Sequence, residues 1–160
     1  MKVLFLCTAN SCRSILSEAA FNAMAPAGMM AYSAGSHPKG KVHPLSLKAL
    51  KNAGIATEGL SSESIDTYES LNPDLVITVC DKAAGEACPV FFGPALKAHW
   101  GLADPSELEG TEAQIDAAFD RTLSLIRARV QAFLDLPLQQ LSPDQLKAEL
   151  VRIATFEVPA

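Results

Sequence analysis

The sequence predicts a three-layer αβα domain built on a four-stranded parallel sheet, and three features carry that expectation. A short apolar run over 3–6 (Val3-Leu4-Phe5-Leu6) has the length and the β-branched and aromatic content of a buried strand. A second run over 75–79 (Leu75-Val76-Ile77-Thr78-Val79) is the clearest of its kind after the first. Segments of helical periodicity alternate with such runs, which argues for strand–helix–strand units with right-handed crossovers.

The elements follow in order. A first helix over 13–24 is expected from Ile15, Leu16, Ala19, Ala20 and Phe21, ended by Ala25-Pro26-Ala27-Gly28. Residues 29–33 read as the second strand. Ser33-Ala34-Gly35-Ser36-His37-Pro38 leaves it as a loop at the carboxyl edge, where open α/β sheets bind ligands. Pro44 at a first helical position, with Leu45, Leu47, Ala49 and Leu50, marks a second helix stopped at Gly54. Residues 59–64 are expected as a short strand or edge segment, and 66–71 as a short helix ended by Asn72-Pro73. Cys80 then follows its strand as Cys7 follows the first. Residues 81–94 hold two glycines and two prolines without a sustained period and read as a long loop, a functional one by its length. A short strand over 97–100 leads into a second loop through Asp104-Pro105. The longest helix, 112–134, carries Ile115, Ala118, Phe119, Leu123, Ile126, Val130 and Phe133 near helical spacing. Pro137 ends it, and Ser142-Pro143 caps a last helix over 144–153. Residues 1–137 are thus expected as the α/β domain, with 138–160 a helical extension packed on it.

Composition sets the bounds. At 160 residues and 49% apolar the chain can bury a substantial core. A formal charge of −5 argues against nucleic acid as the main partner, though one arginine and a few backbone amides suffice for a small oxyanion. No apolar run approaches the ~20 residues of a membrane span, and Met1-Lys2 leads straight into a strand, so a cytoplasmic location without membrane attachment is expected. In a reducing compartment, four cysteines are more often catalytic, redox-active or metal-binding than structural. A zinc site is disfavoured, because Cys7-x4-Cys12 and Cys80-x7-Cys88 lack the Cys-x2-Cys knuckle. His37, His43 and His99 have no ligand spacing and are assigned no chemistry.

Chemistry concentrates in Cys7-Thr8-Ala9-Asn10-Ser11-Cys12-Arg13-Ser14, a tight strand-to-helix loop. Such a loop turns successive N–H groups and a helix N-terminus into one concavity, an oxyanion site that the planar fork of Arg13 completes. The same field is expected to lower the Cys7 pKa and make it a thiolate nucleophile at neutral pH. Asp104 on its loop is a candidate general acid.

These residues resemble the phosphate loop of low-molecular-weight protein tyrosine phosphatases and of the arsenate reductases that share their fold. The likeness runs from Met1 to about Leu134 and includes Ser33-Ala34-Gly35, Val79-Cys80, Cys88-Pro89 and His99-Trp100-Gly101-Leu102-Ala103-Asp104-Pro105. In the phosphatases the equivalent Asp-Pro lies nearer the C-terminus of the chain, which favours the thioredoxin-coupled reductases. The resemblance implies that Thr8, Ala9, Asn10, Ser11, Cys12, Arg13 and Ser14 bind arsenate, with phosphate or sulfate as analogues. It also implies that Cys7 attacks arsenic while Asp104 protonates the departing hydroxyl. Cys80 then attacks Cys7 and releases arsenite, and Cys88 takes over the disulfide from Cys7. An external thiol reductant reopens the Cys80–Cys88 disulfide: thioredoxin, or alternatively glutaredoxin or a small thiol. Seven residues separate Cys80 from Cys88, where many members have six. Ser14 is expected to hydrogen-bond the Cys7 thiolate and Asn10 to hold the loop. No tightly bound cofactor is implied. Some relatives carry potassium beside the loop, and Asn10, Glu18 and Ser33 match that pattern, with Glu63 standing where an Asp is usual. A phosphatase hydrolysing a phosphocysteine is the alternative activity. A non-catalytic arsenite or metal binder is a third reading, which leaves Arg13 and Asp104 unexplained.

Overall fold

A computed structural model describes residues 1–80 and 95–157. Its centre is a four-stranded parallel sheet in the order β2-β1-β3-β4. The strands are β1 (Lys2–Cys7), β2 (Met30–Gly35), β3 (Leu75–Thr78) and β4 (Leu96–His99). The register pairs Cys7 with Gly35, Leu6 with Thr78, and Thr78 with His99, so all four strands end at one edge.

Both faces of β1 are buried, which is why it reads as a continuous apolar run. Val3, Phe5 and Cys7 face the larger core, where α1 (Arg13–Met24), α2 (Pro44–Asn52), α3 (Glu112–Leu134) and α4 (Pro143–Ala154) contribute. Leu4 and Leu6 face a smaller cluster with Ala34, Val76 and Ala95, covered by Tyr32, Ile65 and Tyr68. Among the described residues this third layer is thin, its regular structure one 3-10 turn, Ile65–Tyr68. The larger core centres on Phe5, Phe21, Trp100 and Phe133, whose rings meet at centroid distances of 6.0–6.4 Å.

Helix ends follow their sequence signals. Thr111 with Gln114 and Ser142 with Gln145 form capping boxes on α3 and α4. His43 caps α2, accepting from the Leu45 N–H at 3.1 Å, with Pro44 behind it. Only α1, among these four helices, starts without a side-chain cap. Of the two readings of 59–64, the strand does not form and the edge segment does, with Ser64 making a parallel bridge to Gly35. One expectation is corrected. The short helix expected over 66–71 is the 3-10 turn Ile65–Tyr68. The long loop 81–94 lies outside the described residues. Leu150 and Ile153 of α4 are fully buried, and the Trp100 indole donates to the Leu150 carbonyl at 3.1 Å. No helix among the described residues is long and apolar enough to cross a membrane.

Candidate active site

The loop from Cys7 to Ser14 joins β1 to α1, and its carbonyls are taken up on its outer side. Ser36 N donates to Cys7 O (3.4 Å), His37 N to Thr8 O (2.8 Å), Lys39 N to Ala9 O (3.0 Å) and His43 N to Ser11 O (2.9 Å). The Ser46 and Ser62 hydroxyls add second bonds to Ser11 O and Ala9 O. Carbonyls bound outward leave the N–H groups turned inward, at the uncapped start of α1. Asn10 makes the turn possible. It is fully buried at φ 47°, a left-handed conformation that Asn tolerates. Its amide donates to Ser14 Oγ at 2.8 Å and Ser33 Oγ at 3.0 Å, and its Oδ1 accepts from Glu63 N at 2.6 Å. Gly35 forms the floor: a Cβ there would lie 2.5 Å from Thr8 O.

Arg13 opens α1 beside this concavity. Its Nη1 donates to Leu102 O at 3.0 Å and its Nη2 reaches Asp104 Oδ2 at 3.4 Å. Its Nε is buried with no partner among the described residues, a donor left over for an oxyanion. The other oxygen of Asp104 accepts from Ser106 N (2.9 Å) and Ser106 Oγ (2.6 Å). That pair fixes the carboxyl as the cap of the 3-10 turn Pro105–Glu107. Lys39, Lys41, Ser11 and His43 line a recess beside the loop, a positive rim on an acidic protein.

Cys7 is only 4% exposed and Cys80 only 2%. The two thiols are within hydrogen-bonding reach of each other, and Thr8 Oγ1 lies 3.6 Å from the Cys80 sulfur. This overturns the expected low pKa of Cys7. The hydrogen bond with Cys80 and burial push the Cys7 thiol up, more than Arg13 and the Thr8 backbone pull it down. Burial also pushes Cys12 up to about 12.

Beneath the loop, Ser33 Oγ donates to Glu18 Oε1 at 2.5 Å. Burial pushes Glu18 up to about 7, against the Ser33 hydrogen bond and with a further push from Glu63. Glu18 and Ser33 thus set their oxygens side by side around a carboxylate disfavoured as a bare anion, donor chemistry that suits a hard monovalent cation, while Asn10 meets Ser33 through its amide nitrogen. The Glu63 carboxylate accepts instead from Ser61 (2.7 Å) and Thr67 (3.5 Å), and its main chain is taken up by Asn10 Oδ1 and Gly35 N, so Glu63 brings no oxygen to this set.

The structure therefore brings together Cys7, Cys12, Arg13, Cys80 and Asp104, while Cys88 lies outside the described residues. Sequence reasoning missed the Leu102 carbonyl on Arg13, which no side-chain pattern could signal. It also missed the packing demand at Gly35, whose one trace is a run of small residues at a strand end.

The comparisons agree with this geometry. An arsenate reductase of Bacillus licheniformis is 38% identical over 133 residues, covering 83% of this chain and 94% of the relative. The crystal structure of the arsenate reductase from Archaeoglobus fulgidus is similar with a TM-score of 0.69 and 26% identity, over 84% of this chain and 99% of that one. A thioredoxin-dependent arsenate reductase of Corynebacterium glutamicum matches with a TM-score of 0.59 and 26% identity, over 81% of this chain and 61% of that one. The model for low molecular weight phosphotyrosine protein phosphatases matches residues 2–150, so the chain belongs to that family.

Proposed function

We propose that this protein reduces arsenate to arsenite through a thiol relay starting at Cys7. The observation that carries it is the Cys80 thiol against Cys7, beside the Arg13–Asp104 pair. Hydrolysis of a phosphocysteine needs one cysteine. Reduction of arsenic(V) needs two electrons, which a second thiol at the first supplies.

The loop N–H groups and Arg13 hold the tetrahedral anion against Cys7, whose thiol passes its proton to an oxygen of the bound anion as its sulfur bonds to arsenic, while Asp104 protonates the hydroxyl that leaves as water. Cys80 sulfur then attacks Cys7 sulfur. The sulfur–arsenic electron pair stays on arsenic, which leaves as arsenite, and a Cys7–Cys80 disulfide remains. Cys88 attacks Cys80, freeing Cys7, and a thioredoxin-type dithiol reduces the Cys80–Cys88 bond. Such a cycle belongs in a reducing compartment, the cytoplasm. Beneath the loop, potassium held by the oxygens of Glu18 and Ser33, beside Asn10, would neutralise the Glu18 carboxylate.

The test is arsenate-dependent NADPH consumption with thioredoxin and thioredoxin reductase. Wild type is expected to turn over, with Cys7→Ser, Cys80→Ser and Cys88→Ser all inactive. Asp104→Asn is expected to lose about 10²-fold in kcat. No arsenate turnover, with aryl phosphate hydrolysis that needs only Cys7, overturns the proposal and favours the phosphatase reading that the family match and the Arg13–Asp104 pair also support.

A further inference from the structure

The buried stripe of α3 contains one residue that does not belong to an apolar face. Phe119, Leu123, Ile126, Val130 and Phe133 form the stripe, and Arg129, three residues after Ile126, lies in it at 4% exposure. Burying a guanidinium is costly, and a methionine would fill the space without that cost. The partners of Arg129 are three carbonyl oxygens. Nη1 donates to Gly101 O at 3.0 Å, and Nη2 donates to Ala154 O and Phe156 O, each at 3.1 Å. Ala154 ends α4, so the guanidinium also meets the negative end of that helix.

Gly101 opens the loop that carries the acid. The next carbonyl, Leu102 O, accepts from Arg13 Nη1, and Asp104 accepts from Arg13 Nη2. Backbone bonds from Trp100 N to Thr78 O and from Leu102 N to Val79 O join the five-residue segment 100–104 to the end of β3, Trp100 adds the bond to Leu150, and one guanidinium sits at each end. The family match ends at residue 150, before the Ala154 and Phe156 carbonyls that Arg129 holds.

We propose that Arg129 is a positioning residue: by bridging Gly101 O to the carbonyls of Ala154 and Phe156, it fixes the loop that presents Leu102 O and Asp104 to Arg13. The inference rests on the proposed reductase function for its kinetic readout and on oxyanion binding alone for its second.

The test compares Arg129→Met, Arg129→Lys and Arg129→Gln, whose amide keeps a polar head but reaches only one side. Protection of Cys7 from iodoacetamide by inorganic phosphate reads the Arg13 geometry without any turnover. It is expected to require about three- to tenfold more phosphate in Arg129→Met. Arsenate kcat is expected to fall about tenfold in Arg129→Met, but less than about twofold when Asp104→Asn is already present, because the acid is then gone. Arg129→Lys, which cannot span both sides, is expected to stay impaired. Arg129→Gln is expected to show the same pattern at smaller amplitude, and it decides the matter if Arg129→Met does not fold. Unchanged phosphate protection and kcat in a folded variant, equal losses in both backgrounds, or a wild-type Arg129→Lys would overturn the proposal. A wild type without arsenate turnover defeats the proposed function instead, and the phosphate arm then decides the role of Arg129.

Discussion

The loop after β1 and the loop after β4 meet at Arg13, yet they are held in opposite ways. The first has four of its carbonyls bonded by backbone amides from 36–43, and its floor is the bare Cα of Gly35. The second has two backbone bonds to the end of β3, Trp100 N to Thr78 O and Leu102 N to Val79 O. Beyond them it is tethered by side chains from far away in sequence, Arg13 at one end and Arg129 with α4 at the other. The difference follows the chemistry. An oxyanion loop needs the same donor geometry at every stage of a reaction, whereas a proton donor is needed at one. The first loop is therefore built into the sheet edge, and the second is clamped to it.

The most damaging way to probe this contrast is Gly35→Ala. The added methyl meets backbone, Thr8 O, and the Asn10 side chain at 3.0 Å, so no flexible atom can yield. A loss of about 3 kcal/mol in urea unfolding is expected, together with loss of phosphate protection of Cys7. In the acid loop, by contrast, Asp104→Asn is expected to cost turnover with under about 1 kcal/mol of stability, because its ion pair with Arg13 is partly exposed. If the two variants destabilise equally, the contrast between built and clamped loops fails.

A subtler probe is Cys80→Ala. Cys80 is the largest cause of the raised Cys7 pKa, so its removal is expected to bring that pKa down. Thiolate then forms at lower pH, and alkylation of Cys7 at pH 7, followed by peptide mass, should quicken about tenfold or more. An unchanged pH profile would mean that burial alone restrains Cys7.

The smallest expected effect lies beneath the loop. Glu18 is raised from 4.5 to about 7, so the folded chain holds this proton more tightly than the unfolded chain. That contribution to stability is complete below about pH 4.5 and is lost as pH rises through about 7. Potassium chloride, against tetramethylammonium chloride at equal ionic strength, is expected to raise Tm by about 2–4 °C at pH 8 and not at pH 5. Glu18→Gln is expected to abolish the difference; a Tm that ignores potassium at pH 8 removes the cation from this site.

Much of the fold is legible in the sequence, and the reasons are local. The first helix was expected at 13–24 and is Arg13–Met24, because Pro26 and the apolar period both mark its end. The buried strands show as uninterrupted apolar runs because both sheet faces are covered. What failed was set by tertiary contact. Residues 59–64, open between strand and edge segment, pair only at Ser64, since β2 ends at Gly35, where that bridge is made. The Cys7 pKa could not be read from the loop alone, because its largest influence arrives from Cys80, just past the end of β3 and far along the chain. Arg13 and Asp104 stand out as a charged pair in motifs, whereas the carbonyls that orient them carry no side-chain signature. Arg129 did leave a trace, a cation at a core position of an otherwise apolar stripe.

The clamp on the acid loop has a consequence for how the protein is made. The anion-binding half, residues 7–46, leaves the ribosome early and closes largely on itself through backbone bonds. Gly101 emerges more than fifty residues before Ala154 and Phe156, the carbonyls that Arg129 ties to it. At about 5–20 residues per second, that lag is about 3–10 s. During translation the chain thus acquires its capacity to grip an oxyanion well before its capacity to act on one, and the thiols at the sheet edge meet their proton donor last.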